Sequence, residues 1–169
     1  MSNTKSIKNF TLVPVGGQYA DTLRNEAITF WKNEGVIAAN VIEERANQLV
    51  MIARNEESEV IATSTAAKVK VKLLNDNWLY QYRCYVKPDF RVVGFDVHLT
   101  TESLKLLEAQ SKMESTEAAI GVLVVVENPN LTKSSIHRAA VWRAYKMYFI
   151  GYNSKGQPIR VYYFKGAKI

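Results

Sequence analysis

The sequence predicts an α/β (α+β) fold, a central mixed and mostly antiparallel sheet of about seven strands flanked by about four helices. Three observations carry that expectation. The runs 59–74, through its Lys-Val-Lys-Val-Lys section, and 78–86 alternate their side chains on either side of "NDN", the period of strands with one buried side. "AAIGVLVVVE" (118–127) is a continuous β-branched run, as expected of a central strand covered on both faces. Residues 19–34 and 95–112 repeat their apolar positions at helical spacing.

In chain order, "FTLVPV" (10–15) reads as a short strand, and Pro14 puts it at an edge or a strand end. After "GG", Tyr19, Leu23, Ala27 and Phe30 form one helical stripe, and Gly35 stops that helix. A second helix over roughly 37–47 has Ile37 and Val41 on its apolar side. "QLVMIAR" (48–54), "EVIATSTAAKVKVKLL" (59–74) and "WLYQYRCYV" (78–86) follow as an antiparallel meander with short turns. Trp78, Tyr80, Tyr82, Cys84 and Val86 share one face of the third of these. A helix over 95–112 aligns Phe95, Leu99 and Leu106. Beyond the run at 118–127, a helix near 135–147 and the hairpin "MYFIGYN-SKGQP-IRVYYF" complete the pattern. No repeat, low-complexity tract or linker interrupts it, so residues 1–169 read as a single domain.

With 169 residues, 47% of them apolar and 22% charged, the chain can bury one sizeable core. No window approaches the apolar run that a membrane span needs, and "MSNTKSIKNF" lacks the apolar centre of a secretory signal. Cys84 is the single cysteine, so no disulfide framework is expected within the chain, and a reducing, cytoplasmic setting fits. His98, His137 and Cys84 show no metal-ligand spacing. The net charge of +6 is uneven, because residues 128–169 carry eight basic and no acidic side chains. Such a segment favours an anionic partner, whether a phosphorylated cofactor, a nucleic acid or an acidic protein, unless it is merely a solvated surface. In "HRAAVWRAYKMYF" and "RVYYFK" the basic residues interleave with aromatics, a pattern that can stack bases and pair phosphates.

"VKPDFRVVGFDVHL" (86–99) passes from a strand through Lys-Pro-Asp to Arg91-Val92-Val93-Gly94 and then into a helix. The first N–H groups of a helix lack internal partners, and the helix dipole adds about half a positive charge there. A phosphate docked at that end satisfies both, and Gly94 allows close backbone approach. The element order and "YVKPDFRVVGF" resemble the GCN5-related N-acetyltransferase (GNAT) superfamily, whose strand-end signature is Val-x-Pro-x-(Tyr/Phe)-Arg-x-x-Gly, and mark the chain as a divergent member.

That resemblance implies an acetyl-CoA-dependent N-acetyltransferase acting on an unidentified amine, by direct transfer through a ternary complex. It implies a cofactor site at Tyr85, Val86, Arg91, Val92, Val93, Gly94, Phe95 and Asp96. The pyrophosphate would lie on backbone N–H groups of the turn, and the thioester carbonyl on a strand-end N–H, that of Cys84, Tyr85 or Val86, with Val86 the closest match to that position. For the base, Glu127 stands at the end of the 118–127 strand, where partial desolvation would suit proton acceptance; its alternative is capping the next turn. For the acid, the resemblance points to a tyrosine on the following helix. Tyr145 is the nearest counterpart, since it lies opposite Ile136, Ala140 and Met147 on the wheel. The family's Gly-Phe pair is missing there, so Tyr148 or Trp142 could align instead.

Two positions depart from the family pattern: Val92 replaces a frequent glycine, and Asp96 a small residue. Asp96 either caps the helix in place of a phosphate or turns its carboxylate to solvent. These departures keep open a second reading, a catalytically degenerate GNAT-like binding module. Nucleic acid remains a third, less favoured partner, and a homodimer stays open.

Overall fold

The computed structural model describes residues 10–169, with the side chains of Thr132 and Ile136 outside the description. The polar segment 1–9, read above as lacking a signal, also lies outside it. The chain forms one open mixed sheet of eight strands in the order β1-β2-β3-β4-β5-β8-β7-β6. In sequence these are β1 (Thr11–Pro14), β2 (Leu49–Arg54), β3 (Val60–Val71), β4 (Asn77–Val86), β5 (Gly121–Val125), β6 (Val141–Trp142), β7 (Met147–Tyr152) and β8 (Pro158–Tyr163). β1–β2 and β2–β3 are antiparallel, β4–β5 is parallel, and β5–β8–β7–β6 is antiparallel again. The helices are α1 (Ala20–Glu34), α2 (Ile42–Asn47), α3 (Phe95–Met113) and α4 (Ser135–Arg138). By packing, the chain divides into two compact units: residues up to Ala66 with Arg83–Ser103, and Ala67–Tyr82 with Leu104–Ile169.

In the first unit, α1 buries Leu23, Ala27, Phe30 and Trp31 against Ile42, Ala46, Leu49 and Ile52. Trp31 is fully buried and its Nε1–H donates to Thr63 Oγ1 at 2.9 Å, which satisfies the one polar atom of a large apolar side chain. Tyr19, expected on the same stripe, is exposed. It sits in a 3-10 turn (Gly17–Tyr19) before the 3.6-residue period begins. Gly35 ends α1 at φ +64, as its position implied. α2 starts later than residue 37 because Ala38 is extended and a 3-10 turn (Ala39–Val41) precedes it.

The opposite cluster of this unit joins Met51, Ala53, Ile61, Ala62, Val86, Phe95 and Leu99. Beside it Ser103 Oγ donates to Leu99 O at 2.8 Å. A hydroxyl has one proton, so Ser64 is the donor in the buried 2.9 Å contact between Ser64 Oγ and Ser103 Oγ.

In the second unit, Leu74, Leu79, Leu123 and Val161 form the core. α3 turns Leu104 and Leu107 inward and leaves Leu106 exposed, so the stripe runs in steps of four and three rather than through 106. Gly121 admits no side chain: a Cβ there would lie 2.2 Å from Tyr162 O. Just past α3, Glu114 accepts from Lys68 Nζ at 2.9 Å, Tyr80 Oη at 2.8 Å and the Ala119 N–H at 3.3 Å. Burial pushes its carboxyl upward, but those three donors outweigh burial and hold it below the ordinary carboxylate range. Burial and the same carboxylate push the Tyr80 phenol far up.

The helix expected near 135–147 is confined to Ser135–Arg138. The chain then turns into β6, and Met147, taken as a helix residue, is a buried strand residue. The cause lies in β8. Arg160, 2% exposed, donates to His137 O at 2.9 Å, Ala139 O at 2.7 Å and Ala140 O at 3.5 Å. Its guanidinium also stacks 4.1 Å from the Trp142 ring. Carbonyls that would continue a helix are thus drawn to an arginine 20 or more residues away. Burial lowers the pKa of that guanidinium, without making it a proton donor near neutral pH.

Candidate functional site

In the first unit, the end of β4 and the start of α3 are joined by a 3-10 turn at Pro88–Phe90 and then by Arg91–Gly94. Phe90 N–H donates to Lys87 O at 2.9 Å and Phe95 N–H to Val92 O at 3.2 Å. The first full helical bond runs from His98 N–H to Gly94 O, 3.0 Å. The loop keeps its shape through its own side chains. Phe90 and Val92 pack onto the Met51–Leu99 cluster, so Val92 directs its bulk into the core. Arg91 Nε donates to Val86 O at 2.9 Å, and its guanidinium lies 5.7 Å from the Tyr85 ring. Arg91 is therefore a clamp across the loop as well as a positive charge.

Gly94 has φ +89, a region that L side chains rarely adopt, and nothing lies within 4 Å of where a Cβ would stand. Its role is conformational, and the space above it is open. Val93 beside it is fully exposed. Asp96 is exposed in the first turn of α3, where a carboxylate stabilises the helix by about 0.3–1 kcal/mol.

The strand end also has a defined polarity. Lys87 N–H donates to Ile61 O of β3 at 2.9 Å. Successive N–H groups of a strand point to opposite edges, so Tyr85 N–H shares the β3 direction and Val86 N–H points to the other edge. Of the three residues named from sequence, Cys84 and Val86 therefore turn their N–H away from β3, and Val86 is the one at the strand's end. Tyr85 contributes through its side chain, whose hydroxyl donates to Glu34 Oε2 at 3.1 Å. Burial, then that hydrogen bond, raises the Tyr85 phenol. Lys87 Nζ stands 3.7 Å from Glu34 Oε1, and the Tyr85 ring packs 5.8 Å from Phe30. Glu34, the last residue of α1, was not singled out from sequence, where it is one of eight acidic residues in the first sixty. Only folding carries it to the end of β4.

Glu127 and Tyr145 both belong to the second unit. Glu127 follows β5 and is exposed, rather than partly buried as expected. The next residue, Asn128, caps a 3-10 turn (Pro129–Thr132) by accepting from Asn130 N–H at 3.0 Å. Tyr145 is not on a helix. It is half-buried in the turn between β6 and β7, with its N–H on Trp142 O at 3.1 Å and its ring 5.8 Å from Trp142. The register separates the two. Gly121 pairs with Tyr163 and Val125 with Ile159, while Tyr148 pairs with Val161 and Tyr152 with Pro158. β5 and β7 therefore run the same way, and Tyr145 precedes the start of β7 while Glu127 follows the end of β5. The structure places these residues at opposite ends of the strands. Residues 85–96, in contrast, form one continuous turn. Cys84, on the face expected to be buried, is exposed.

No family model and no curated protein sequence matches the chain. Solved structures do. A GNAT-family acetyltransferase from Streptococcus pneumoniae superposes with a TM-score of 0.61 at 9% identity, covering 92% of this chain and 99% of that one. A ribosomal-protein-S5-alanine acetyltransferase from Vibrio fischeri gives 0.63 at 8% identity, covering 97% and 98%. A GNAT-superfamily phosphinothricin acetyltransferase from Sinorhizobium meliloti, in complex with AcCoA, gives 0.57 at 14% identity, covering 92% and 88%. The shared property is the fold, a mixed α+β architecture built on one open sheet.

Proposed function

We propose, with the GNAT fold as premise, that this protein is an acetyl-CoA-dependent acyltransferase that acetylates an amine by direct transfer. The observation that supports this most is the 86–96 turn. It combines a strand-end N–H turned away from β3, a left-handed glycine under open space, and the start of a 19-residue helix. The residues suit acetyl-CoA: the diphosphate would rest on the backbone of Arg91–Asp96 at the positive end of α3. The thioester carbonyl would accept from Val86 N–H, a donor fixed before the tetrahedral oxyanion forms. An amine nitrogen would bond to the acetyl carbon and give up its proton as the C–S bond breaks and the thiolate leaves; Glu127 is the base that the sequence offers for that proton. Within the second unit Tyr145 and Glu127 lie at opposite ends of the strands, which weighs against the two serving one transfer together.

The test is thiol release from acetyl-CoA across a panel of polyamines, amino acids, aminoglycosides and peptide N-termini. With an active acceptor, Glu127→Gln is expected to lower turnover by about 10²-fold with CoA affinity nearly unchanged. Tyr145→Phe is expected to cost less than about tenfold. Unaltered turnover in Glu127→Gln would remove that base, and silence across the panel despite CoA binding would favour a binding module.

A further inference from the structure

Apart from the 86–96 turn, the second unit holds an open groove of about 540 Å³ lined by Lys146, Tyr148, Tyr162, Tyr163 and Lys165. Its composition follows from register. β7 and β8 are antiparallel with Tyr148 opposite Val161, so the residue before β7 and the residues after β8 meet at one end. Lys146 and Lys165 occupy those two positions, and the three tyrosines lie between them in sequence and register. No carboxylate lines the groove. The nearest one in the backbone network is Glu108, which accepts from Lys165 N–H at 3.2 Å and pairs with Lys112 at 3.1 Å. The Lys112 hydrogen bond, with the Lys165 N–H, holds Glu108 ionised and already compensated.

Among the described residues, the three phenol hydroxyls make no hydrogen bond and neither lysine ammonium makes an ion pair within 4 Å, although the Lys165 charge helps to hold Glu108 ionised. Tyr148 is 50% exposed, and burial keeps the Tyr163 phenol protonated, a donor rather than an anion. Five donors thus surround flat apolar rings, in a segment, 128–169, with eight cations and no anion. The groove also lies at the Gly121–Tyr163 end of β5 and β8, opposite the end that Glu127 follows, so it is separate from the proposed proton transfer.

We propose that this groove binds a nucleotide unit, its phosphate held by Lys146 and Lys165 and its base laid on the Tyr148 ring. Aromatic faces stack on any base, and ammonium groups follow the phosphate. An acidic peptide would use the two lysines but leave the half-exposed Tyr148 ring without a planar partner. The same chemistry is offered by a free nucleotide or by one residue of a single strand, and the experiment separates them.

Fluorescence anisotropy of a labelled single-stranded RNA dodecamer, alongside calorimetry with AMP, would be measured on the whole protein across a salt series. Binding of the dodecamer alone assigns the groove to a strand; binding of both assigns it to a nucleotide. In either case Lys146→Ala with Lys165→Ala is expected to flatten the log–log salt slope by about 1.4, two phosphate contacts at about 0.7 each. Tyr148→Ala is expected to weaken binding about fivefold or more. Lys155→Ala, at a distant turn, is the control. The proposal is overturned if neither ligand binds at low salt. It is equally overturned if binding survives the groove variants intact, or if Lys155→Ala weakens it as much as they do. Circular dichroism of each variant establishes that it is folded.

Discussion

At the scale of single residues, Gly94 and Asp96 divide the work of the proposed phosphate turn between conformation and charge. A side chain at Gly94 meets no neighbour, so its cost to the free protein comes from φ +89 alone, about 1–2 kcal/mol for a non-glycine residue in that region. Gly94→Val should therefore stay folded with a lowered melting temperature, yet lose CoA binding because its branched side chain occupies the ligand's approach. Asp96 acts in the other direction. One carboxylate about 5 Å from a diphosphate costs about 1 kcal/mol after solvent and salt screening. Asp96→Ala is expected to tighten CoA binding about threefold to tenfold while slightly destabilising the free helix. A titration of both variants checks this; Asp96→Ala binding more weakly than the parent would show that the aspartate supports the ligand.

At the scale of elements, the most sensitive contact is the approach of β5 to β8. Gly121→Ala forces a Cβ against a backbone oxygen, which cannot move aside as a side-chain tip would. The strands must separate locally, and a loss of about 1–3 kcal/mol is expected in denaturant unfolding; unchanged stability would mean that the sheet yields freely there. Past the end of α3, Glu114 supplies a pH dependence. Its folded carboxyl lies below the ordinary 4.5, so its stabilisation is complete above that value and is lost as pH falls through the lowered one. Melting curves below pH 4.5 should therefore fall more steeply for the parent than for Glu114→Gln; equal slopes would remove Glu114 from the acid response.

The elements that sequence made legible are those with local causes. Gly35 stops α1, alternation marks β3 and β4, and the β-branched run marks β5. The 86–96 turn was legible for the same reason, because its strand end, Arg91, Gly94 and helix start are contiguous. What escaped has distant causes. Arg160 recruits carbonyls of residues 137–140 and truncates α4, and Glu34 reaches Tyr85 across 51 positions. A helical wheel through Ala140, Tyr145 and Met147 cannot register either event, so the sequence reading set Tyr145 on a helix that does not form.

At the scale of the whole molecule, the chain shares its fold with GNAT acetyltransferases to which it is only 8–14% identical, and the sequence likeness is confined to the 86–95 stretch. Packing of the kind seen around Ile52, Ile61 and Leu99 can survive such divergence through many volume-conserving exchanges. A functional turn is less tolerant, and the 86–96 turn is the part of the molecule on which the proposed activity depends. No helix among the described residues is long and apolar enough to cross a membrane. A ligand that binds only the folded state at a hundred times its Kd stabilises that state by about 2.7 kcal/mol, and a melting shift would follow. The most direct measurement is calorimetric titration of CoA into the parent protein and into Gly94→Val. The account expects saturable one-site binding in the parent and none in a folded Gly94→Val; absence of saturable binding in the parent at about millimolar CoA, or equal binding in the two, would contradict it.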